Sequence, residues 1–299
     1  MIVGLIGPRW AGKGEVARYL AQQEWFESFE SFEDLEKAQG IERGWHKGTR
    51  LVIRKISKED ATRLSKRPYC LVVAVDSPLL DRFRRSERDD LELFQQESDA
   101  ELYGDRGLAE FMTSTSVQIL NSGTLEQLRA QTKSLQIGDV GHLRPSWDSY
   151  FLAIAELLSK RTNCMRKKSA TVIVRDTRIV STGYSGTPSR FLNCIEGGCT
   201  KCGAEPSSAD PLDQCICLCA EESAILEAGR GRCLGATIYV KHFPCLSCSK
   251  KIRQAGIVRV AYRDDAEMDM VAASFLTAAN VSVEKHVMVG MLDTAYHSQ

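Results

Sequence analysis

The spacing of the cysteines constrains this 299-residue chain more than any other feature of its sequence. Nine of the 11 cysteines lie between Cys194 and Cys248, whereas cysteines that only fill cores would be scattered along the chain. The first residues, MIVGLIGPRWAGKG, are apolar only briefly and show no secretory signal, so we expect an intracellular protein, in the cytoplasm or the nucleus. Because disulfides are rare in that reducing setting, the clustering favours metal binding or catalysis.

Two short motifs in the cysteine-rich region have the spacing of a catalytic metal centre. One is Cys-Ala-Glu at 219–221, and the other is Pro-Cys-Leu-Ser-Cys at 244–248. Each motif lies at the predicted start of a helix, where free N–H groups and the helix dipole stabilise thiolates. Zinc favours tetrahedral coordination, and a catalytic zinc has three protein ligands and one open position. We therefore predict a catalytic zinc bound by Cys219, Cys245 and Cys248.

A carboxylate follows the first of these ligands. Glu221 lies two residues after Cys219, so we expect it beside the metal rather than bound to it. There it would take a proton from water and pass it to a ring nitrogen and a departing amine. A glutamate at this spacing, with Pro-Cys-x-x-Cys downstream, is the signature of zinc deaminases, which has a three-cysteine variant. A structural zinc knuckle is the alternative interpretation.

The remaining cysteines of this region favour a second, closed metal site. Cys199 and Cys202 form a CxxC pair, with Cys194 before it and Cys215 or Cys217 after it. We put forward Cys194, Cys199, Cys202 and Cys217 as the ligands of a structural zinc, which would supply folding energy to a loop with little regular structure. The alternative is that some of these cysteines are free thiols.

The order of strands and helices predicts two α/β domains. In residues 1–137, buried strands alternate with helices, which is typical of a parallel sheet. The polar, glycine-containing residues 138–146 are predicted to form a linker. Residues 147–299 are predicted to fold in the order α-β-β-α-β-α-β-α-β, with a hairpin that turns at Asp176 and Thr177.

A glycine-rich loop follows the first predicted strand. Gly7, Gly12, Lys13 and Gly14 match GxxxxGK, in which backbone N–H groups and the lysine bind phosphate. The Ser or Thr that normally holds magnesium is missing, and Glu15 stands where kinase loops of the GKG type have threonine. We predict a degenerate nucleoside-monophosphate-kinase-like domain. Its role is open between phosphotransfer, nucleotide binding alone and structural support.

Charged residues later in the same half have two interpretations. Asp76 and the arginines resemble the acidic and lid elements of such kinases; the arginines are Arg82, Arg84, Arg85 and Arg88. The alternative is that the arginines lie on a solvated helix face.

The overall charge and hydropathy disfavour some classes of partner. Lys and Arg total 39, as do Asp and Glu, so no general electrostatic footprint for nucleic acid is present. A small-molecule substrate is therefore favoured over a polynucleotide. No stretch approaches the roughly 20 apolar residues of a membrane helix, so we expect no membrane partner.

The chain resembles the cytidine and deoxycytidylate deaminase family, especially its fungal deoxycytidylate deaminases. Besides the zinc motifs, the resemblance is carried by RPSWDSYF (144–151), RTNCMRKK (161–168), GYSGTP (183–188), NCIEGGCTKC (193–202) and CLCAEESAILEAGR (217–230). It implies a cytidine-deaminase-like α/β/α sandwich, hydrolysis of dCMP to dUMP, and Ser185 and Thr187 as substrate-binding candidates. It also implies a homo-oligomer, control by dCTP and dTTP, and a kinase-like N-terminal domain.

The chain departs from the family pattern at three places. Cys219 replaces the usual histidine, so three thiolates give a zinc site of charge minus one and should make its water a weaker acid unless a cation compensates. Ser185 replaces the usual asparagine, and Ser169 and Ala170 replace Val-Gly. Two alternatives therefore stay open: a deaminase of another cytosine nucleoside, nucleotide or base, and a catalytically weakened paralogue that regulates an active one.

Overall fold

The computed structural model describes residues 1–38, 48–105, 107–203, 215–264 and 269–286. The chain divides into two compact units, one ending at Pro145 and the other beginning at Ser146. Within the described residues, each unit contains one five-stranded sheet. In that part of the chain, no helix is long and apolar enough to cross a bilayer.

The first unit is a parallel α/β fold. Its strands are β1 (Ile2–Ile6), β2 (Glu27–Ser31), β3 (Leu51–Lys55), β4 (Cys70–Asp76) and β5 (Val117–Leu120). Its helices are α1 (Lys13–Gln23), α2 (Phe32–Ala38), α3 (Lys58–Ser65), α4 (Leu79–Ser86), α5 (Leu91–Tyr103), α6 (Ala109–Ser114) and α7 (Leu125–Ser134). The strand order is β2-β3-β1-β4-β5, and all described pairs are parallel. The parallel sheet predicted for this half is confirmed.

The central strand β1 is apolar throughout because helices cover both faces of the sheet. Val3 and Leu5 pack in one core with Leu20 of α1. Ile2 and Ile6, which point to the opposite face, pack in a second core that includes residues of α2 and α3. The glycine-rich loop therefore begins at the end of a strand that is held by packing on both of its faces.

The second unit has a mixed sheet. Helix α8 (Trp147–Ser159) precedes strands β6 (Ala170–Arg175), β7 (Arg178–Tyr184), β8 (Thr237–His242), β9 (Arg259–Asp264) and β10 (Ser282–Lys285). The other helices are α9 (Thr200–Gly203), α10 (Ala220–Cys233), α11 (Leu246–Gln254) and α12 (Met270–Ala278). The sheet order is β10-β9-β8-β6-β7, antiparallel across β8-β6-β7 and parallel across β10-β9-β8. The predicted element order is confirmed, with the short α9 added in the cysteine-rich loop, where residues 204–214 lie outside the described ones.

Helices cover both faces of this sheet, as in an α/β/α sandwich. Val172 and Val174 of β6 pack with α8, whereas Ile173 packs in the core formed by α10, α11 and α12. The predicted hairpin between β6 and β7 is also present. Asp176 and Thr177 have φ of 52° and 58°, the left-handed backbone of a tight two-residue hairpin turn.

One glycine brings α10 close to β7. A Cβ on Gly183 would lie 2.3 Å from the Ala220 carbonyl oxygen and 2.5 Å from the Ala224 nitrogen, so no larger residue fits there. Nearby, the Ser181 hydroxyl donates to the Ala224 carbonyl at 2.8 Å. These contacts fix the first turn of α10 against the sheet.

Candidate active site

Two helix starts converge on three cysteine sulfurs. Cys219 is the N-cap of α10, Cys245 is the N-cap of α11, and Cys248 lies in the first turn of α11. The three sulfurs lie within 4.8 Å of one another. Both helix starts predicted from the two motifs are thus present, and they bring the three candidate ligands together.

The three sulfurs fit a zinc ion. Thiolates about 2.3 Å from a tetrahedral zinc lie about 3.8 Å apart, a separation compatible with this trio. Hydrogen bonds with Cys219 and Cys248 lower the pKa of the Cys245 thiol, which favours a thiolate at the start of α11. Three soft donors at two helix N-termini form a donor set that zinc prefers.

Glu221 lies beside the sulfurs in a buried position. Only 2% of its surface is exposed, and its Oε2 accepts from the Cys248 sulfur at 3.6 Å. Burial raises the pKa of the carboxyl, and the nearby Lys167 ammonium opposes that rise. A buried carboxyl with a raised pKa is suited to take up and release protons.

Two lysines supply positive charge near the three sulfurs. Lys167 lowers the pKa of both Glu221 and Cys245. Burial alone would lower the pKa of Lys251, but its ion pair with Glu222 at 2.7 Å and the charges of the cysteine sulfurs raise it. These ammonium groups offset part of the negative charge that a third thiolate adds. Sequence reasoning did not identify either lysine.

The predicted substrate residues lie on a turn beside the first zinc motif. Ser185 is buried, and its hydroxyl and that of Thr187 have no hydrogen-bond partner among the described residues. Between them, Gly186 exchanges two backbone hydrogen bonds with Leu218, of 2.8 and 3.3 Å. Since Leu218 immediately precedes Cys219, the turn is fixed next to the sulfurs. Buried hydroxyls without partners are groups that a bound polar molecule can satisfy.

Two further polar residues were not identified from the sequence, and one of them, Asn163, contacts this turn. The Asn163 side-chain oxygen accepts from the Thr187 backbone N–H at 3.2 Å, and its amide donates to Asn193 at 2.8 Å. Arg166, next to Lys167, has its Nε and one terminal nitrogen buried without a hydrogen-bond partner in the described chain. Guanidinium nitrogens in this state have the chemistry to bind an anion. The signal was the basic run RTNCMRKK.

Six other cysteines form two overlapping groups of four sulfurs. One group is Cys164, Cys194, Cys202 and Cys217, and the other is Cys199, Cys202, Cys215 and Cys217. The predicted set of Cys194, Cys199, Cys202 and Cys217 is therefore divided between the two groups. Cys164 was missed because it precedes Cys194 by thirty residues and only the tertiary fold brings it into contact.

In the first unit, the glycine loop bends around its own lysine. Lys13 donates to the carbonyls of Gly7 and Pro8 at 2.6 and 2.7 Å, and burial lowers its pKa to about 8. Gly7 and Gly12 have φ of 151° and 105°, and a Cβ on Gly7 would lie 1.9 Å from the Val75 carbonyl oxygen. Gly14, in contrast, has open space around its Cα. The loop conformation therefore depends on the first two glycines.

The arginines of α4 and the residues after it have different environments. Arg82 is buried and donates to the Ser77 carbonyl at 2.9 Å, and Arg85 donates to the Ser77 hydroxyl at the same distance. The solvated-face interpretation is thus wrong for these two arginines, whereas Arg84 is exposed. Arg88 lines a cavity of about 580 Å³; the other lining residues are Arg9, Trp10, Arg82, Phe94, Glu97, Ser98, Ala100 and Glu101.

The chain is similar in sequence to known deaminases. Residues 145–263 match the family described as "Cytidine and deoxycytidylate deaminase zinc-binding region". The deoxycytidylate deaminase of Schizosaccharomyces pombe is 36% identical over 95% of this chain and 97% of its own length. That of Saccharomyces cerevisiae is 31% identical over 95% of this chain and 96% of its own length. The crystal structure of dCMP deaminase from cyanophage S-TIM5 with dCMP and dUMP is 31% identical over 48% of this chain and 100% of that one, with a TM-score of 0.39.

Proposed function

Because the chain belongs to the deoxycytidylate deaminase family, we propose that it hydrolyses dCMP to dUMP and ammonia. The observation that carries this proposal is the buried Glu221 carboxyl beside three converging cysteine sulfurs. A small nucleotide also agrees with the absence of net charge on the chain.

The chemistry follows from which groups lie together. Cys219, Cys245 and Cys248 would hold the zinc, which when bound supplies the Lewis acidity that makes water a stronger acid near neutral pH. Glu221 takes a proton from the water that attacks C4 of the cytosine ring and delivers it to N3. The same carboxylate then carries a second proton to the departing amine. Its burial keeps bulk water away from these transfers.

The presence of Cys219 as a third thiolate ligand is compatible with an active enzyme. Lys167 and Lys251 supply positive charge close to the sulfurs, which opposes the effect of replacing histidine by Cys219. Lys167 also favours the ionised form of Glu221, which is the form that accepts the first proton. This arrangement supports an active deaminase over the regulatory paralogue.

Three side chains are suited to bind the nucleotide. We propose that the hydroxyls of Ser185 and Thr187, which have no partner among the described residues, bind the sugar. Arg166 would bind the 5′-phosphate, since its two buried nitrogens without a partner gain most from a charged acceptor. A nucleotide would thus be preferred over a nucleoside.

We propose that the chain has two domains with different roles. Residues 1–137 would form a degenerate P-loop kinase-like domain, joined by residues 138–146 to the deaminase domain of residues 147–299. The close approach of Gly7 to the Val75 carbonyl, the position of Lys13 at the start of α1 and the nearby cavity support nucleotide binding by the first domain. A homo-oligomer and control by dCTP and dTTP are proposed from the family alone.

A substrate panel tests the proposed reaction. The purified full-length protein, with its zinc content measured, is assayed with dCMP, CMP and deoxycytidine by ammonia release. We expect the highest kcat/KM for dCMP. Turnover of deoxycytidine without turnover of dCMP would contradict the proposal and favour a nucleoside deaminase.

A further inference from the structure

Six cysteines of the second unit lie together outside the proposed active site. They form two groups of four sulfurs that overlap. Cys164 and Cys194 belong only to the first group, and Cys199 and Cys215 belong only to the second. Cys202 and Cys217 belong to both groups. Within each group, all four sulfurs lie within 4.8 Å of one another. All six are free thiols. A single tetrahedral ion needs only four of them.

We propose that these six cysteines hold two zinc ions in a binuclear cluster, with Cys202 and Cys217 as bridging ligands. Six sulfurs give each of two ions four ligands only when two sulfurs are shared, and the two overlapping groups share two. The four-sulfur sets are closed, as in structural zinc sites, so the cluster has no catalytic role.

The distances between the sulfurs agree with this coordination. Tetrahedral thiolates about 2.3 Å from zinc lie about 3.8 Å apart. The Cys202 sulfur lies 3.8 Å from that of Cys164 and 3.2 Å from that of Cys215, and the Cys199 and Cys215 sulfurs are 3.5 Å apart. In a disulfide, one sulfur bonds one partner sulfur at about 2.0 Å. The Cys202 sulfur instead has a neighbour from each group at a longer distance, as a bridging ligand requires.

Backbone N–H groups also point at the sulfurs. The N–H of Cys217 donates to the Cys215 sulfur at 3.4 Å. The N–H groups of Cys202 and Ile216 donate to the Cys199 sulfur. Such bonds stabilise thiolates and orient them toward a metal, because they neutralise part of the negative charge from the side away from the ion.

The local core contains little besides sulfur. Cys164, Cys194, Cys199 and Cys202 are buried together, and among the described residues only Cys215 and Cys217 pack against them as partly buried apolar groups. Among its described residues, the regular structure is a three-residue 3₁₀ helix starting at Cys194 and the four-residue α9. Since sulfur makes up the described core of the segment, metal binding would supply its folding free energy.

The residues next to the cluster also contact the substrate turn. Asn163, which precedes Cys164, accepts from the Thr187 N–H and donates to Asn193, which precedes Cys194. Leu218, which follows Cys217, pairs with the backbone of Gly186. Cys164 and Cys217 thus have neighbours that hold the turn, and the neighbour of Cys194 holds Asn163, so the cluster would position the turn and Cys219 for the reaction.

Metal counting in the full-length protein tests the proposal. We expect three zinc ions per chain by mass spectrometry, and two in Cys245→Ser, which removes a ligand of the other site. Because that variant is read by its metal content, the result does not depend on the deaminase proposal. One zinc in the variant would mean a mononuclear site and overturn the proposal, and iron in place of zinc would do the same.

Cadmium-113 NMR tests the bridging directly. In the cadmium-substituted protein, we expect two resonances from four-sulfur sites that show mutual scalar coupling, because shared thiolates transmit it. Two uncoupled resonances would exclude bridging.

Matched variants identify the shared ligands. We expect Cys202→Ser to reduce the zinc count below three, because five sulfurs cannot give two ions four ligands each through two bridges, and Cys70→Ser, a buried thiol in the first unit, to keep three. A count of three in a folded Cys202→Ser protein would contradict bridging by Cys202. If this variant does not fold, the cadmium coupling in the parent protein decides the question.

Discussion

The two cysteine sites of the second unit have the same donor atoms but different structural support. Cys219, Cys245 and Cys248 lie on the first turns of α10 and α11, whose other residues pack in a large apolar core. The six-cysteine cluster lies in short irregular segments whose core is sulfur. The difference indicates that the fold positions the catalytic ligands, whereas the metal positions the cluster ligands.

The metals of the two sites should contribute very different amounts to the free energy of unfolding. Removing the catalytic metal leaves Ala224, Ala228 and Ile252 packed, so the unit should stay folded. Removing the cluster metals takes away the main interaction of its segment. Variants of the two sites should therefore separate loss of stability from loss of rate.

The largest effect is expected from the cluster. Structural zinc contributes roughly 10 kcal/mol of apparent binding free energy, so Cys194→Ser should destabilise the second unit by at least about 3 kcal/mol, or about 10 °C in Tm. Cys245→Ser should change Tm by less than about 3 °C. Calorimetry of both variants checks this, and equal Tm losses would remove the distinction between the sites.

The catalytic carboxyl should affect the rate and not the fold. Glu221→Gln should keep zinc and Tm but lower kcat by at least about 100-fold, the usual scale for a lost general acid–base group. Glu222→Gln is the matched control, since this neighbour pairs with Lys251 at the surface. Near-normal turnover by Glu221→Gln would rule out the proposed role of this carboxylate.

Arg166 and the cluster residue Cys164 lie two positions apart, so variants of these neighbours can separate substrate binding from stability. Arg166→Ala should raise KM for dCMP by at least about tenfold, as expected for a lost charged hydrogen bond, and leave KM for deoxycytidine unchanged. Its Tm should remain near that of the parent protein, unlike the Tm of Cys164→Ser. A parallel rise in both KM values would mean that Arg166 does not bind the phosphate.

The smallest effect is a shift in pH dependence. Lys167 opposes the burial-driven rise in the pKa of Glu221, so Lys167→Met should raise that pKa further. The enzyme needs ionised Glu221 and loses activity as the pH falls through its pKa, so the acid limb of the kcat profile should move to higher pH. Identical acid limbs in both proteins would show that Lys167 does not act on Glu221.

Local sequence pattern revealed much of this molecule. The buried strands, the hairpin at Asp176 and the two helix starts with their cysteines all follow from apolar periodicity, turn chemistry and motif spacing. Two strands of the first unit were missed: β2, with the sequence ESFES, is a partly exposed edge strand without an apolar run, and β3, with the sequence LVIRK, has an apolar run of only three residues.

The residues that were missed at the sites depend on tertiary contacts. Cys164 joins cysteines at least 30 positions away, and Asn163 reaches both Thr187 and Asn193. Arg82 is buried by the packing around α4, which no local pattern encodes. Motif spacing therefore found the catalytic sulfurs, but it could not count the ligands of the cluster.

Stepwise metal removal tests the difference between the two sites most directly. The full-length protein is titrated with a chelator while zinc release, dCMP turnover and circular dichroism are followed together. We expect the first zinc ion to leave with all of the activity and no change in the spectrum, and the other two to leave only as the second unit unfolds. Loss of structure together with the first zinc, or activity that survives its release, would contradict the account.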